Sequence, residues 1–201
     1  MTSSLFVGLF LLIYTGATVW MCRGYHLRIR DIAFSGLCCA MTILLTYIRI
    51  PLPIGTAITF EYLPLILLAL LYDRRLAMIS GLACGVLAAL VAPGWEMVHW
   101  AQLPLEHLVC FSCLGYAAVF GREKNQCRLG ILLAMAISFL GHVCSGAVFF
   151  GQYAWAGWGA WGYSLAFNAS YMIPNCIVAL LLVPALPLDT LARTIQKGAH
   201  P

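Results

Sequence analysis

Charge is what this sequence lacks. Only 9% of its 201 residues are Asp, Glu, Lys or Arg, and just seven are acidic, whereas a soluble domain carries about a quarter charged residues. The shortage runs the whole length of the chain, so no stretch is polar enough to fold as a soluble enzyme module. There is no Gly-x-x-x-x-Gly-Lys-Ser/Thr loop, which excludes the chain as an ATPase of that class. Gly-x-Ser-x-Gly and His-Glu-x-x-His are also missing, which argues against a hydrolase, and low-complexity tracts are absent. The first apolar run lacks a positive n-region, because only Met1-Thr2-Ser3-Ser4 precedes it. It therefore reads as an uncleaved helix rather than a signal peptide.

What is present is hydrophobic length. Apolar residues make up 63% of the chain, and runs long enough to cross hydrocarbon, each about 17–25 residues, recur from end to end. Spans are expected near 5–21, 28–48, 60–72, 76–92, 104–120, 129–150 and 161–184, the third being short enough to borrow from its flanks. One all-α membrane bundle follows. The formal charge of +4 comes from eleven Lys and Arg in short clusters between spans, a pattern of membrane topology rather than nucleic-acid binding. With the N-terminus outside, the inner loops hold Arg23, Arg28 and Arg30, then Arg74 and Arg75. Arg122, Lys124 and Arg128, and finally Arg193 and Lys197, follow them. Ten of the eleven cations are then inside and only Arg49 outside, as the positive-inside rule requires. Asp73 beside Arg74 reads as a tight inner turn.

Nine cysteines are many, but most lie within apolar runs, for example Cys38, Cys39, Cys84, Cys144 and Cys176. Cys110 and Cys113 have CxxC spacing without a second pair, so they read as small packing residues, and no metal site is expected.

Polar residues inside spans are costly and point to function. Glu106 opens the fifth span, His142 lies in the outer half of the sixth, and Tyr163 and Asn168 lie in the outer half of the seventh. Alternating helix directions bring all four to the same side at similar depth. His142, Gly146 and Phe150 follow an i, i+4, i+8 track on one face, with about 12 Å between the first and last at 1.5 Å per residue. Gly146 leaves room beside that face. The outer loops 49–60, 93–103 and 151–160 carry Pro51, Pro53, Gly55, Pro93, Gly94, Trp95 and Trp100, and aromatics are densest at Tyr153, Trp155, Trp158, Trp161 and Tyr163. A carboxylate, an imidazole, an amide, a phenol and aromatic faces suit a flat, cationic heteroaromatic ligand. Plainer readings exist: Glu106 as a helix cap, His142 and Asn168 as interhelical glue, and the aromatics as an interfacial belt. Glu61, Glu96 and His99 read as solvated loop residues. The sequon at Asn168-Ala169-Ser170 lies inside a span and is discounted.

The stretch from His142 to Asn168, HVCSGAVFFGQYAWAGWGAWGYSLAFN, strongly resembles the thiamine-specific S-components of energy-coupling factor (ECF) vitamin transporters. Leu105-Glu106-His107-Leu108 and Phe111-Ser112-Cys113-Leu114-Gly115 extend the likeness, which covers about four-fifths of the chain. The resemblance implies a six-helix substrate-binding subunit of a bacterial cell membrane, occupying 28–201, with residues 1–27 as an extra N-terminal transmembrane helix. It implies that thiamine is held near the outer face by Glu106, His142, Gly146, Trp155, Tyr163 and Asn168. A stacking Trp of the family is Phe150 here, and the aromatic that commonly follows the Glu is His107. For the Trp of the first outer loop, 49–60 offers only Phe60. The resemblance also implies a coupling module, a membrane subunit with two ATPases, docking on small residues of the first core helix, here Ala33, Gly36 and Ala40. No cofactor and no catalysis are implied. Other readings remain open: an S-component for another flat vitamin or precursor, a stand-alone proton-coupled carrier using Glu106 and His142, and an intramembrane hydrolase.

Overall fold

The computed structural model describes residues 2–53, 56–91 and 98–197; Gly55, Pro93, Gly94, Trp95 and Glu96 of the outer loops lie outside the described residues. Among the described residues, five helices are long and apolar enough to cross a membrane. They are α1 (Thr2–Cys22), α2 (Ile29–Thr46), α4 (Arg74–Val91), α6 (Lys124–Phe149) and α7 (Ala160–Leu182). The other two expected spans are built differently. The third is reduced to α3 (Leu63–Leu71), nine residues that cover about 14 Å at 1.5 Å each, roughly half of a hydrocarbon core. A two-stranded ribbon, β1 (Ile50–Pro51) against β2 (Ala57–Ile58), in which Ile50 pairs with Ile58, precedes it. The fifth, α5 (Leu103–Ala118), is a continuous helix that changes pitch twice. It runs as a π-helix over Leu103–Val109, an α turn over Cys110–Ser112 and a 3₁₀-helix over Cys113–Ala118.

Both irregular crossings are shielded from lipid. Leu65 and Ile66 of α3 and Cys113 of α5 are fully buried, and α5 packs against α3, α4 and α6. Non-helical or off-pitch backbone at membrane depth requires this, because lipid satisfies no N–H or C=O. The regular helices form the rim and expose apolar side chains such as Leu9 and Leu12 on α1 or Leu181 on α7. Ala33, Gly36 and Ala40 of α2 are exposed too, and nothing approaches within 4 Å of the space beside Gly36.

The end of the bundle that carries Arg28, Arg30, Arg74 and Arg75 is pinned by polar groups at chain turns. Asp73 caps α4, accepting from the Arg75 amide at 2.7 Å, which is the tight turn the sequence announces. Asp31, fully buried, accepts from the Arg28 amide at 2.9 Å and from the Tyr72 hydroxyl. The amphipathic α8 (Leu188–Lys197) packs on α3 and is tied to α2 by Arg30 donating to the Ile195 carbonyl at 2.7 Å. All nine cysteines are free.

Candidate functional site

A cavity of about 440 Å³ opens among α5, α6, α7 and the segment that leads into α3, within the 300–1,000 Å³ typical of small-molecule sites. One pole is acidic and imidazole-bearing. The π-helical part of α5 presents Glu106 and His107, both lining the cavity. A π turn brings consecutive residues closer in direction than the step of about 100° in an α-helix, so adjacent residues share one wall. Glu106 Oε1 accepts from Ser145 Oγ of α6 at 2.5 Å and from Gln102 Nε2 at 3.4 Å. Gln102, fully buried, also accepts from the His99 amide at 2.8 Å and so joins the outer loop to the acid. His142 enters from α6, its ring edge-on to Tyr171 at 6.1 Å.

The opposite wall is α7. Tyr163, Phe167 and Tyr171, spaced i, i+4, i+8, line the cavity, and their rings follow one another at 5.6 and 6.3 Å. Trp155 stands behind this ladder, outside the lining and edge-on to Tyr163 at 5.2 Å. Phe150, at the end of α6, lines the cavity and packs on Tyr153 at 6.2 Å. Asn168 is 6% exposed and its amide is heavily engaged. Nδ2 donates to the Ser164 carbonyl at 2.8 Å and the His142 carbonyl at 3.4 Å, while Oδ1 accepts from the Tyr171 hydroxyl at 2.6 Å. Gly146 explains how α7 comes so near. A Cβ there would strike Ser164 Oγ and lie 3.2 Å from Asn168 Nδ2, so the room Gly146 leaves is filled by α7 side chains.

The third wall is one that sequence reasoning missed. Glu61, expected as a solvated loop residue, lines the cavity. The reason is the shortness of α3: residues 56–62 descend inside the bundle instead of remaining in the outer loop. The Thr59 amide donates to Asn175 Oδ1 of α7 at 3.1 Å, fixing that descent. Glu61 interacts with the Thr59 side chain and the Arg49 guanidinium. Tyr62 is 5% exposed and lines the same space, and its hydroxyl has no hydrogen-bond partner among the described residues. His99 does remain exposed, stacked on Phe149 at 5.3 Å. Phe167, Tyr171 and Asn175 also escaped notice, although Ser164, Asn168, Tyr171 and Asn175 form a polar i, i+4, i+7, i+11 stripe in an apolar helix, which is a legible signal.

Glu106, His107, His142, Gly146, Phe150, Tyr163 and Asn168 thus meet at one cavity, drawn from three helices. It offers carboxylates, imidazoles and phenols on an aromatic surface, which can hold a flat cation by charge pairing and ring contact.

The model of the thiamine transporter protein family matches residues 32–195. Thiamine transporter ThiT of Bacillus subtilis (strain 168) is 26% identical over 169 residues, covering 78% of this chain and 88% of that protein. A solved structure of ThiT from Listeria monocytogenes superposes with a TM-score of 0.71 at 19% identity, over 85% of this chain and 97% of that one; at that identity the likeness speaks for the fold.

Proposed function

The chain belongs to the thiamine transporter protein family, and from that premise we propose that it is the substrate-binding membrane subunit that captures thiamine from outside the cell for ATP-driven ECF uptake. The observation that carries the reading is the convergence of Glu106, His142 and the Tyr163–Phe167–Tyr171 ladder on one cavity. Thiamine joins an aminopyrimidine to a thiazolium cation and ends in a primary alcohol. The Glu106 carboxylate accepts a hydrogen bond from the aminopyrimidine and balances the cation, His142 donates or accepts beside it, and the α7 rings face the cationic heterocycle. Glu61 and Arg49 are polar groups on a separate wall, suited to the alcohol end.

In this reading residues 28–201 form the binding domain and residues 1–27 the added helix, and the chain lies in the cell membrane with its N-terminus outside and C-terminus inside. A coupling subunit docks on the exposed small-residue face of Ala33, Gly36 and Ala40, where close helix approach is sterically open. Energy comes from the partner's two ATPases, since this sequence has no phosphate-binding loop of its own.

Titrating thiamine into the detergent-extracted protein tests the binding half. The account expects saturable quenching of tryptophan fluorescence at one thiamine per chain, and a flat signal would sink it. Uptake of labelled thiamine by cells with and without the ATPases tests the coupling half. Uptake that persists without them would mark a stand-alone carrier.

A further inference from the structure

Helix α1 lies outside the region matched by the family model, which begins at residue 32, yet it carries more than lipid-facing side chains. Phe6, Phe10, Tyr14, Thr18 and Cys22 recur every four residues, and from Phe10 onward they form its bundle-facing stripe. Phe6 meets Trp161 at the start of α7 edge-on at 5.7 Å, and Cys22 reaches Met78 near the start of α4 at 3.8 Å. Tyr14 and Thr18, each 8% exposed, are the polar members of that stripe. A hydroxyl buried at membrane depth costs free energy unless it is hydrogen-bonded.

Their partners all lie on α5. Where α5 passes from π to α pitch, the regular ladder changes register and carbonyls near Leu108 and Val109 need other donors. Ser112 Oγ donates to the Leu108 carbonyl. With the serine proton so used, the Tyr14 hydroxyl, 2.5 Å from Ser112 Oγ, donates to it, and Tyr14 also lies 3.5 Å from the Val109 carbonyl. One turn further along, Thr18 Oγ1 is 3.1 Å from the Tyr116 hydroxyl on the 3₁₀ segment. The junction at Val109 is three residues from Glu106 and two from His107.

We propose that Tyr14 and Thr18 are positioning residues for ligand binding: by hydrogen-bonding to the pitch change in α5, the added helix holds the π-helical segment so that Glu106 and His107 face the cavity. The inference rests on the thiamine-binding reading. Phe at 14 keeps the ring and removes only the hydrogen bond, which would let α5 relax towards regular α pitch and rotate Glu106 off its wall.

The test uses the full chain in detergent, with thiamine titrated against tryptophan fluorescence and melting temperature recorded alongside. Tyr14→Phe and Thr18→Val are each expected to weaken thiamine binding about fivefold, and Thr18→Ser, which restores the hydroxyl, to recover it. A double-mutant cycle separates positioning from general loosening. In a Glu106→Gln background the Tyr14→Phe effect is expected to shrink below twofold, whereas in a Glu61→Gln background, on a different wall, it stays at full size. Wild-type affinity in both hydroxyl deletions overturns the proposal, as does an equal loss in all backgrounds that tracks melting temperature. If Tyr14→Phe does not fold, the Thr18→Val and Thr18→Ser pair carries the same cycle. Absence of thiamine binding by the unaltered protein is a different outcome and defeats the functional reading itself.

Discussion

Glu106 accepts hydrogen bonds from Ser145 and Gln102, so its carboxylate is oriented by groups of the protein itself. That arrangement reduces the ordering cost of binding. Replacing Glu106 by Gln or His142 by Ala is therefore expected to weaken thiamine binding tenfold or more, about 1.4 kcal/mol, in a fluorescence titration; unchanged affinity in both variants would remove them from the site. Gly146→Ala acts differently. Its new methyl meets Ser164 and Asn168, and overpacking of this kind costs about 1–3 kcal/mol. The expected result is a lower melting temperature together with weaker binding, because Asn168 holds the Tyr171 hydroxyl. At this scale Glu106, His142, Tyr163 and Asn168 were legible because ionisable and amide groups stand out in an apolar span. Glu61 was not, since a carboxylate next to a predicted outer loop looks identical whether it faces water or a cavity.

Helix α5 shows why element boundaries were harder to read than element existence. Its apolar length was plain, but the pitch changes depend on neighbours that pair its displaced carbonyls and on close backbone approach. Cys110 donates to the Leu105 carbonyl at 3.1 Å, its sulfur lying 3.4 Å from the Ser138 carbonyl of α6, and Cys113 donates across to the Ala134 carbonyl of α6 at 3.3 Å. The CxxC pair thus supplies hydrogen-bond donors as well as the packing expected of it. A Cβ on Gly85 would lie 2.6 Å from the His107 carbonyl. Gly85→Ala is accordingly expected to push on the π-helical segment, lowering thermal stability by about 1–3 kcal/mol and weakening thiamine binding, readable from a thermal melt and a titration on one preparation. Wild-type values for both would show that α4 does not grip α5. The short α3 has a similar lesson: hydropathy located a span at 60–72 but gave no sign that its helix is confined to Leu63–Leu71 and is preceded by extended backbone at Ala57–Ile58.

For the whole molecule, alternation of helix direction is internally consistent. α1 runs antiparallel to α4 and begins beside the start of α7, as Cys22 near Met78 and Phe6 against Trp161 require. Composition alone established a multi-pass membrane bundle, and the cation distribution supplies an expectation of which side is which. In a cysteine-free background, a single cysteine at Trp158 is expected to react with a membrane-impermeant maleimide added to intact cells, and one at Arg122 only after lysis. The reverse pattern would invert the topology and place the cavity mouth inside.

The most direct measurement is the thiamine content of protein purified from cells grown with the vitamin, quantified by mass spectrometry after denaturation. The account predicts close to one thiamine per unaltered chain and almost none in the Glu106→Gln, His142→Ala double variant. Empty wild-type protein that also fails to take up added thiamine, or equal occupancy in the double variant, would contradict it.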